Sequence, residues 1–344
     1  GNDNANIARI EPTRAENSIH VITVYNKASE VVLDGLVVTG GNADTAFWGA
    51  PGALANGGGL RLDASTLTIR NCIFEKNTAS KAASLYDEGP GSTLRVENSI
   101  FRDNVSHAAG TMHVAGDFVL ESCVIYNNQT KDSPFGYQWG GGLFLGGSSS
   151  GLINNSVFAN NYANEAGGAI FGQADAVITN CSFYGHSVAN EAGRSGQTLN
   201  VNGGTLTLKN CIIWGSSGGG SVIDGSTTIT NSTIQGGHAG AGNLDVDPQF
   251  VSTTNLEGID GIWGTADDGL HLQNTSPVVD TGLNADAVGS DDLTGRPRIV
   301  DGNSDTMATV DMGAYELEKP ALTLEDGLVA YYPFNGNAND ASGN

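Results

Sequence analysis

Gly167-Gly168-Ala169-Ile170-Phe171-Gly172-Gln173-Ala174-Asp175-Ala176-Val177-Ile178-Thr179-Asn180-Cys181-Ser182-Phe183 holds, in order, a small-residue bend, a short apolar run, a polar turn from Gln173 to Asp175, a second apolar run, one Asn, and a third run that begins Cys-x-Phe. Three short strands separated by bends have too little surface to bury one another. They become stable by stacking on copies of themselves, so the stretch predicts a solenoid. Copies aligned on the Asn run along the chain: Asp34-Gly35-Leu36-Val37, Asn71-Cys72-Ile73-Phe74, Asn98-Ser99-Ile100-Phe101, Ser122-Cys123-Val124-Ile125, Asn155-Ser156-Val157-Phe158, Asn180-Cys181-Ser182-Phe183, Asn210-Cys211-Ile212-Ile213 and Asn231-Ser232-Thr233-Ile234. Successive copies lie 21 to 37 residues apart. A fixed motif on a variable period means that each turn keeps its strands and varies its loops. Eight turns at about 4.8 Å per stacked strand make a rod roughly 40 Å long.

Each slot of the motif has a physical role. The Asn sits where the chain bends sharply, and Asn tolerates the left-handed conformation better than other non-glycine residues. Stacked asparagines are also expected to bond their amides from turn to turn, in which case Asn180→Ala costs on the order of 1–2 kcal/mol. Two residues after the small residue stand Phe74, Phe101, Phe158 and Phe183, or Ile125, Ile213 and Ile234, which predicts an interior ladder. The four cysteines, Cys72, Cys123, Cys181 and Cys211, share the small-residue slot that Ser fills elsewhere. That register predicts buried free thiols rather than a disulfide framework.

Composition agrees with frequent bends and few helices: Gly is 49 of 344 residues and charged residues make up 15%. A formal charge of -22 repels phosphate backbones, so nucleic acid is excluded as an expected partner. No apolar run reaches the length of about 18 residues that a membrane span needs. Acid is concentrated late, with 15 Asp and Glu against 2 Arg in residues 241–318. The charge serves solubility or, more sharply, divalent cation sites. The chain begins at Gly1 without a Met, which implies a mature or trimmed chain.

The tetrads Phe74-Glu75-Lys76-Asn77, Phe101-Arg102-Asp103-Asn104 and Phe158-Ala159-Asn160-Asn161, together with Gly167-Gly168-Ala169-Ile170 and the looser Gly57-Gly58-Gly59-Leu60 and Gly140-Gly141-Gly142-Leu143, resemble the repeats of the polymorphic outer-membrane protein group of bacteria. The resemblance covers residues 30–235, and the turns at Ser122 and after Asn210 depart from it. It implies an all-β, right-handed parallel β-helix over residues 1–240 on a bacterial cell surface or secreted from it, often adhesive. Asp245-Val246-Asp247-Pro248, Asn274-Thr275-Ser276-Pro277, Asp292-Leu293-Thr294-Gly295-Arg296-Pro297 and Asp311-Met312-Gly313-Ala314-Tyr315-Glu316 resemble a C-terminal module of the choice-of-anchor kind, here residues 241–318. Such a module is expected to cap the open end of the coil, which otherwise exposes unpaired strands. After a linker at 319–325, residues 326–344 resemble the first strand of a laminin-G-like, concanavalin-type domain.

The chemistry expected from the residues is sparse. Gly147-Ser148-Ser149-Ser150-Gly151 matches a hydrolase nucleophile pattern, but it lies in a polar turn rather than between a strand and a helix. A polysaccharide lyase needs a base beside a group that neutralises a carboxylate. Lys131, His186 and Arg194, in or beside the long loops 127–140 and 185–198, are the available groups. Trp48, Phe135, Tyr137 and Trp139 are candidates for stacking a carbohydrate or docking a surface protein. Asp260, Asp267 and Asp268 in Asp260-Gly261-Ile262-Trp263-Gly264-Thr265-Ala266-Asp267-Asp268 form the best candidate for a calcium ion. The favoured expectation is a non-enzymatic surface rod, able to assemble with copies of itself, and the alternative is a carbohydrate-active enzyme on the same coil.

Overall fold

The structure is a computed structural model that describes residues 17–43, 55–89, 91–131, 133, 137–147, 149–189, 191 and 193–317. Parallel strands build a 14-stranded, an 8-stranded and a 6-stranded sheet. The largest is two ladders joined at a corner where Leu199–Lys209 and Ile223–Thr230 run on without a break. One coil therefore has four faces rather than the expected three. In a representative turn these are Leu60–Asp63, Thr66–Arg70, Ile73–Glu75 and Thr78–Lys81. The fourth face escapes a sequence reading because its strands shrink to two residues, as at Ser187–Val188, too short to show alternation.

The third face carries the eight expected copies, and its register is the expected one from Asn71 onward; in the first copy Val38 rather than Val37 pairs with Phe74, and Gly35 (φ 68°) rather than Asp34 holds the bend. Phe74 pairs with Phe101, Phe101 with Ile125, and Ile125 with Phe158, then Phe183, Ile213 and Ile234 in turn. Phe74 and Phe101 stack at 4.9 Å, as do Phe158 and Phe183. Leu67, Ile69, Leu94, Val96, Leu120 and Ile178 fill the core from the second face, and all four cysteines are buried and free. The bend residues Asn71, Asn98, Ser122, Asn155, Asn180, Asn210 and Asn231 all have φ between 46° and 54°, the left-handed region. In the Gly-Gly bend, Gly167 has φ 67°, and a Cβ on Gly168 would sit 2.3 Å from the Gln197 carbonyl oxygen of the next coil. Close passage of coils, not only chain reversal, requires that second glycine.

A continuous amide ladder exists, but not at the bend asparagines, where turn-to-turn side-chain bonds are isolated: Asn71 Nδ2 donates to Asp34 Oδ1 (2.8 Å) and Asn155 Nδ2 to Ser122 Oγ (3.0 Å). Neither amide atom of Asn180 has a hydrogen-bond partner among the described residues. Its value is conformational, so the cost of Asn180→Ala comes from forcing Ala into the left-handed region. The bonded column is the last residue of each Phe-x-x-Asn tetrad. Asn77 Nδ2 donates to Asn104 Oδ1 (3.1 Å), Asn104 Nδ2 to Asn128 Oδ1 (2.9 Å), and Asn128 Nδ2 to Asn161 Oδ1 (3.1 Å). Each Nδ2 also donates to a main-chain carbonyl of the preceding coil: Val38, Phe74, Phe101 and Ile125 in turn. The turn at Ser122 keeps this column through Asn128, so its departure from the tetrad is only an Ile in place of Phe.

The acidic C-terminal segment closes the last coil only in its first residues. Asn231 N donates to Ala241 O (2.9 Å), Leu244 N to Ser232 O (2.8 Å), and Asn243 Nδ2 to Ile229 O (2.8 Å). The rest turns back and packs along the outside of the third face. Phe250, Trp263, Leu270, Val278, Met312 and Tyr315 bury there against Val124, Val157, Ala159 and Ile212. The module is a side strap rather than an end cap, and the cause is the apolar outer surface of that face. Ile100, Val124, Val157 and Ile212 point away from the coil interior and need cover. The laminin-G-like strand at 326–344 lies outside the described residues.

Candidate functional site

The first face carries an outward column that the sequence reading did not assemble. Register places Arg61, Tyr86, His113, Phe144, Phe171, Asn200 and Asp224 side by side on successive coils. The four rings stack along the rod: Tyr86 on His113 at 5.0 Å, His113 on Phe144 at 5.0 Å, and Phe144 on Phe171 at 5.4 Å. Trp139 lies flat on Phe171 at 4.8 Å and 9°, and Tyr137 meets Trp139 edge-on at 5.1 Å. Two of the four expected contact residues, Tyr137 and Trp139, thus meet at one place. Trp48 and Phe135 lie outside the described residues.

Beside this stack opens a groove of about 390 Å³. It exists because small residues oppose large ones. On the coil before Trp139 the chain presents Ala108 and Ala109, and Gly146 and Gly147 line another wall. Lys81, His113 and Gln173 supply polar atoms. His113 Nδ1 lies 3.1 Å from the Asp87 carbonyl oxygen, so that nitrogen carries the proton and Nε2 keeps a free lone pair. Burial pushes the His113 pKa down to about 4, leaving the ring neutral at physiological pH. The stack ends at polar groups on both sides: Arg61 pairs with Glu88 at 2.7 Å, and Asn200 and Ser195 bond to Asp224. The sequence signal for the column was the residue after each Gly-Gly-x-Leu or Gly-Gly-x-Ile, which is Phe144 or Phe171 in two copies.

The candidate lyase groups are not assembled. His186 is wholly buried and takes the next place in the asparagine column. Its Nδ1 accepts the Asn161 N–H at 3.2 Å, which leaves Nε2 as the donor to the Phe158 carbonyl at 3.1 Å. Burial holds its pKa down at about 3. Both nitrogens are engaged inside the core, so His186 meets no substrate. Arg194 is paired with Glu165 at 3.3 Å and Glu191 at 3.2 Å. Lys131 follows the short fourth-face strand Gln129–Thr130, and neither it nor Arg194 lines the groove.

The role of His186 makes a prediction. Its folded pKa lies below the unfolded value, so the stability it contributes is complete above about 6.5 and is lost as pH falls toward 3. His186→Asn restores the amide column and removes that loss. Urea midpoints for wild type and variant should agree closely at pH 8 and diverge below pH 6, with the variant more stable at pH 4 by about 1 kcal/mol or more. Parallel acid limbs would show that His186 is not the neutral member of the column.

Asp260, Asp267 and Asp268 serve the backbone of their own loop. Asp267 Oδ2 accepts the N–H groups of Ile259 and Asp260, and Asp260 Oδ1 accepts that of Ile262. Asp268 Oδ2 accepts from Gly264 N (2.8 Å) and from the Tyr315 hydroxyl (2.7 Å), and burial pushes its pKa up to about 6. Among the described residues no three His, Cys, Asp or Glu side chains gather as a metal site. Ser149 Oγ donates to the Gly146 carbonyl at 2.7 Å, which is a turn contact rather than an activated nucleophile.

The fold is the right-handed parallel β-helix. A family model described as a right handed beta helix region matches residues 107–242. Among solved structures, the chain resembles pectate lyase Pel9A at 15% identity and a TM-score of 0.41, over 89% of this chain and 90% of that one. That superposition is too loose to carry an argument about activity. No curated protein matches.

Proposed function

We propose that the chain is a non-enzymatic binding rod of the bacterial exterior, a rigid β-helix that offers its first face to a ligand. The observation that carries this reading is the character of the first-face groove. Its single histidine is held neutral between two rings, with one nitrogen engaged by a main-chain carbonyl and no carboxylate side chain in the groove lining to act with it. Acid–base chemistry favours a group whose pKa lies near the working pH, and that of His113 lies well below it, whereas binding needs shape and ring surface. The side strap supports the reading by covering the third face and leaving the first face open. The likeness of the Phe-x-x-Asn and Gly-Gly-x-Leu repeats to the polymorphic outer-membrane protein group supports a secreted or cell-surface location.

The expected result is that incubation with polyuronates and neutral polysaccharides releases no unsaturated or shortened products. Product formation that disappears in Lys131→Ala would overturn the proposal in favour of a lyase.

A further inference from the structure

We propose that the groove beside Trp139 is a saccharide-binding site that seats an uncharged sugar ring on the indole face turned away from Phe171. The inference deepens the binding-rod reading by naming the ligand class. Three features of the groove suit a saccharide, and Lys81, the one charged side chain in its lining, makes an interaction of its own.

First, the geometry leaves one broad ring surface available. The rings of Tyr86, His113, Phe144 and Phe171 stack on one another along the rod, so their faces are mostly covered by neighbours. Trp139 is different. One face rests on Phe171, and toward the preceding coil its backbone neighbours Ala109 and Gly110 carry little or no side chain. Trp139 lines the groove together with Ala108, Ala109 and Tyr137, whose ring meets the indole at 84°. A flat π surface bordered by empty space suits the C–H face of a pyranose.

Second, the polar atoms at the rim suit hydroxyl groups. His113 Nε2 has a lone pair and no proton, because Nδ1 supplies the hydrogen to Asp87 O. It needs a donor, and a sugar hydroxyl is one. Gln173, also in the lining, offers an amide that both donates and accepts. A purely apolar peptide side chain would leave both unsatisfied, at a cost of about 1–3 kcal/mol for each buried group.

Third, the site is continuous along the rod. Coils repeat at about 4.8 Å, close to the length of one sugar unit, and beyond Phe171 the column turns polar at Asn200 and Asp224. A chain of sugars laid along the rod therefore meets ring surface first and hydrogen-bonding groups next.

The test is titration calorimetry of the full chain with neutral oligosaccharides, chosen from a glycan array, at low and at high salt. Binding is expected with an affinity almost independent of salt. Trp139→Ala should weaken it at least tenfold and His113→Phe by a smaller factor. Because Trp139→Ala also removes the contact with Phe171, Gly147→Phe provides a second variant. A Cβ at Gly147 meets only the Gln173 carbonyl oxygen, at 3.6 Å, so the added ring can enter the groove without disturbing the stack. Gly147→Phe should abolish binding while the melting temperature stays within a few degrees. No glycan binding, binding indifferent to both variants, or binding of peptides alone would overturn the site. The same incubations separate this inference from the rod reading. Cleavage of a bound glycan would refute the non-enzymatic reading and leave the site standing, whereas absent binding without cleavage would refute the site alone.

Discussion

Replacing Arg298 with Met should loosen the side strap by about 3–5 kcal/mol, because several buried acceptors lose their donor at once. Arg298 is 1% exposed and Glu316 is equally enclosed. The guanidinium donates to Glu316 Oε1 (3.1 Å), to the carbonyls of Gly313 (3.1 Å) and Ala314 (3.0 Å), and through Nη2 to Asn155 Oδ1. Asn155 is a bend residue of the coil, so this one side chain joins strap to solenoid. Met fills similar volume but leaves Glu316 Oε1 and Asn155 Oδ1 without their guanidinium donor. The double variant Arg298→Met with Glu316→Gln should recover part of the loss at high pH, where ionisation of Glu316 would otherwise strand a buried charge.

The same joint has a pH dependence with a definite sign. Burial, and after it the neighbouring carboxyl, push Asp311 up to about 7 and Glu316 up to about 9. Both folded values exceed those of free carboxyls, near 4, so the folded strap holds protons that the unfolded chain releases. The stability these groups contribute is complete below about pH 4 and is lost as pH rises through 7 and 9. Amide exchange at residues 278–282 and 311–316 should therefore be faster at pH 9 than at pH 6 after correction for intrinsic exchange. In Arg298→Met it should already be fast at pH 6, while core amides of Thr93–Glu97 remain protected. Uniform loss of protection across coil and strap would show that the two unfold as one unit, with no separate joint.

What the sequence made legible follows from periodicity. A core position on a coil repeats once per turn, so Phe74, Phe101, Phe158 and Phe183 announce the third face by themselves. The left-handed bends were equally plain, since few residues besides Asn and Gly accept that conformation. The side strap was harder. Its signal was present in Ile100, Val124, Val157 and Ile212, which stand next to inward residues and so make the strand apolar on both sides. A strand apolar on both sides has something packed on its outer surface. Which segment packs there depends on contacts across 130 residues or so, as between Asn155 and Asp291, and no local pattern records them. The groove was half legible for the same reason. Tyr137 and Trp139 stood out as loop aromatics, whereas Tyr86, His113, Phe144 and Phe171 become one surface only when four coils are stacked in register. His186 misled because a histidine in a long loop reads as reactive, while its spacing after Phe183 matches the Asn of the tetrads.

The asparagine column is the place where a single polar atom should matter most to the coil itself. Asn128 is fully buried. Its Oδ1 accepts from Asn104 N (3.1 Å) and Asn104 Nδ2 (2.9 Å), and its Nδ2 donates to Phe101 O (2.8 Å) and Asn161 Oδ1 (3.1 Å). Asn128→Ala removes all four contacts and opens a small cavity between coils. A loss of about 3 kcal/mol is expected, since several buried donors and acceptors lose partners at once. Asn128→Asp keeps the shape and is the sharper test. At neutral pH it brings a carboxylate against Phe101 O and Asn161 Oδ1, two acceptors, where an amide had donated to both. That variant should be worse than Ala at pH 8, because a buried charge facing acceptors is costlier than a gap. Protonation at low pH returns one donor, so Asp should overtake Ala between pH 8 and pH 5 in urea melts followed by tryptophan fluorescence. Because Ala does not titrate, any crossing belongs to residue 128. An Asp variant that tracks Ala at every pH would mean that water reaches the column and that the amides do not hold the coils together. As a control, Asn127, the exposed left-handed neighbour, should tolerate Gly with little change, since Gly adopts that conformation freely.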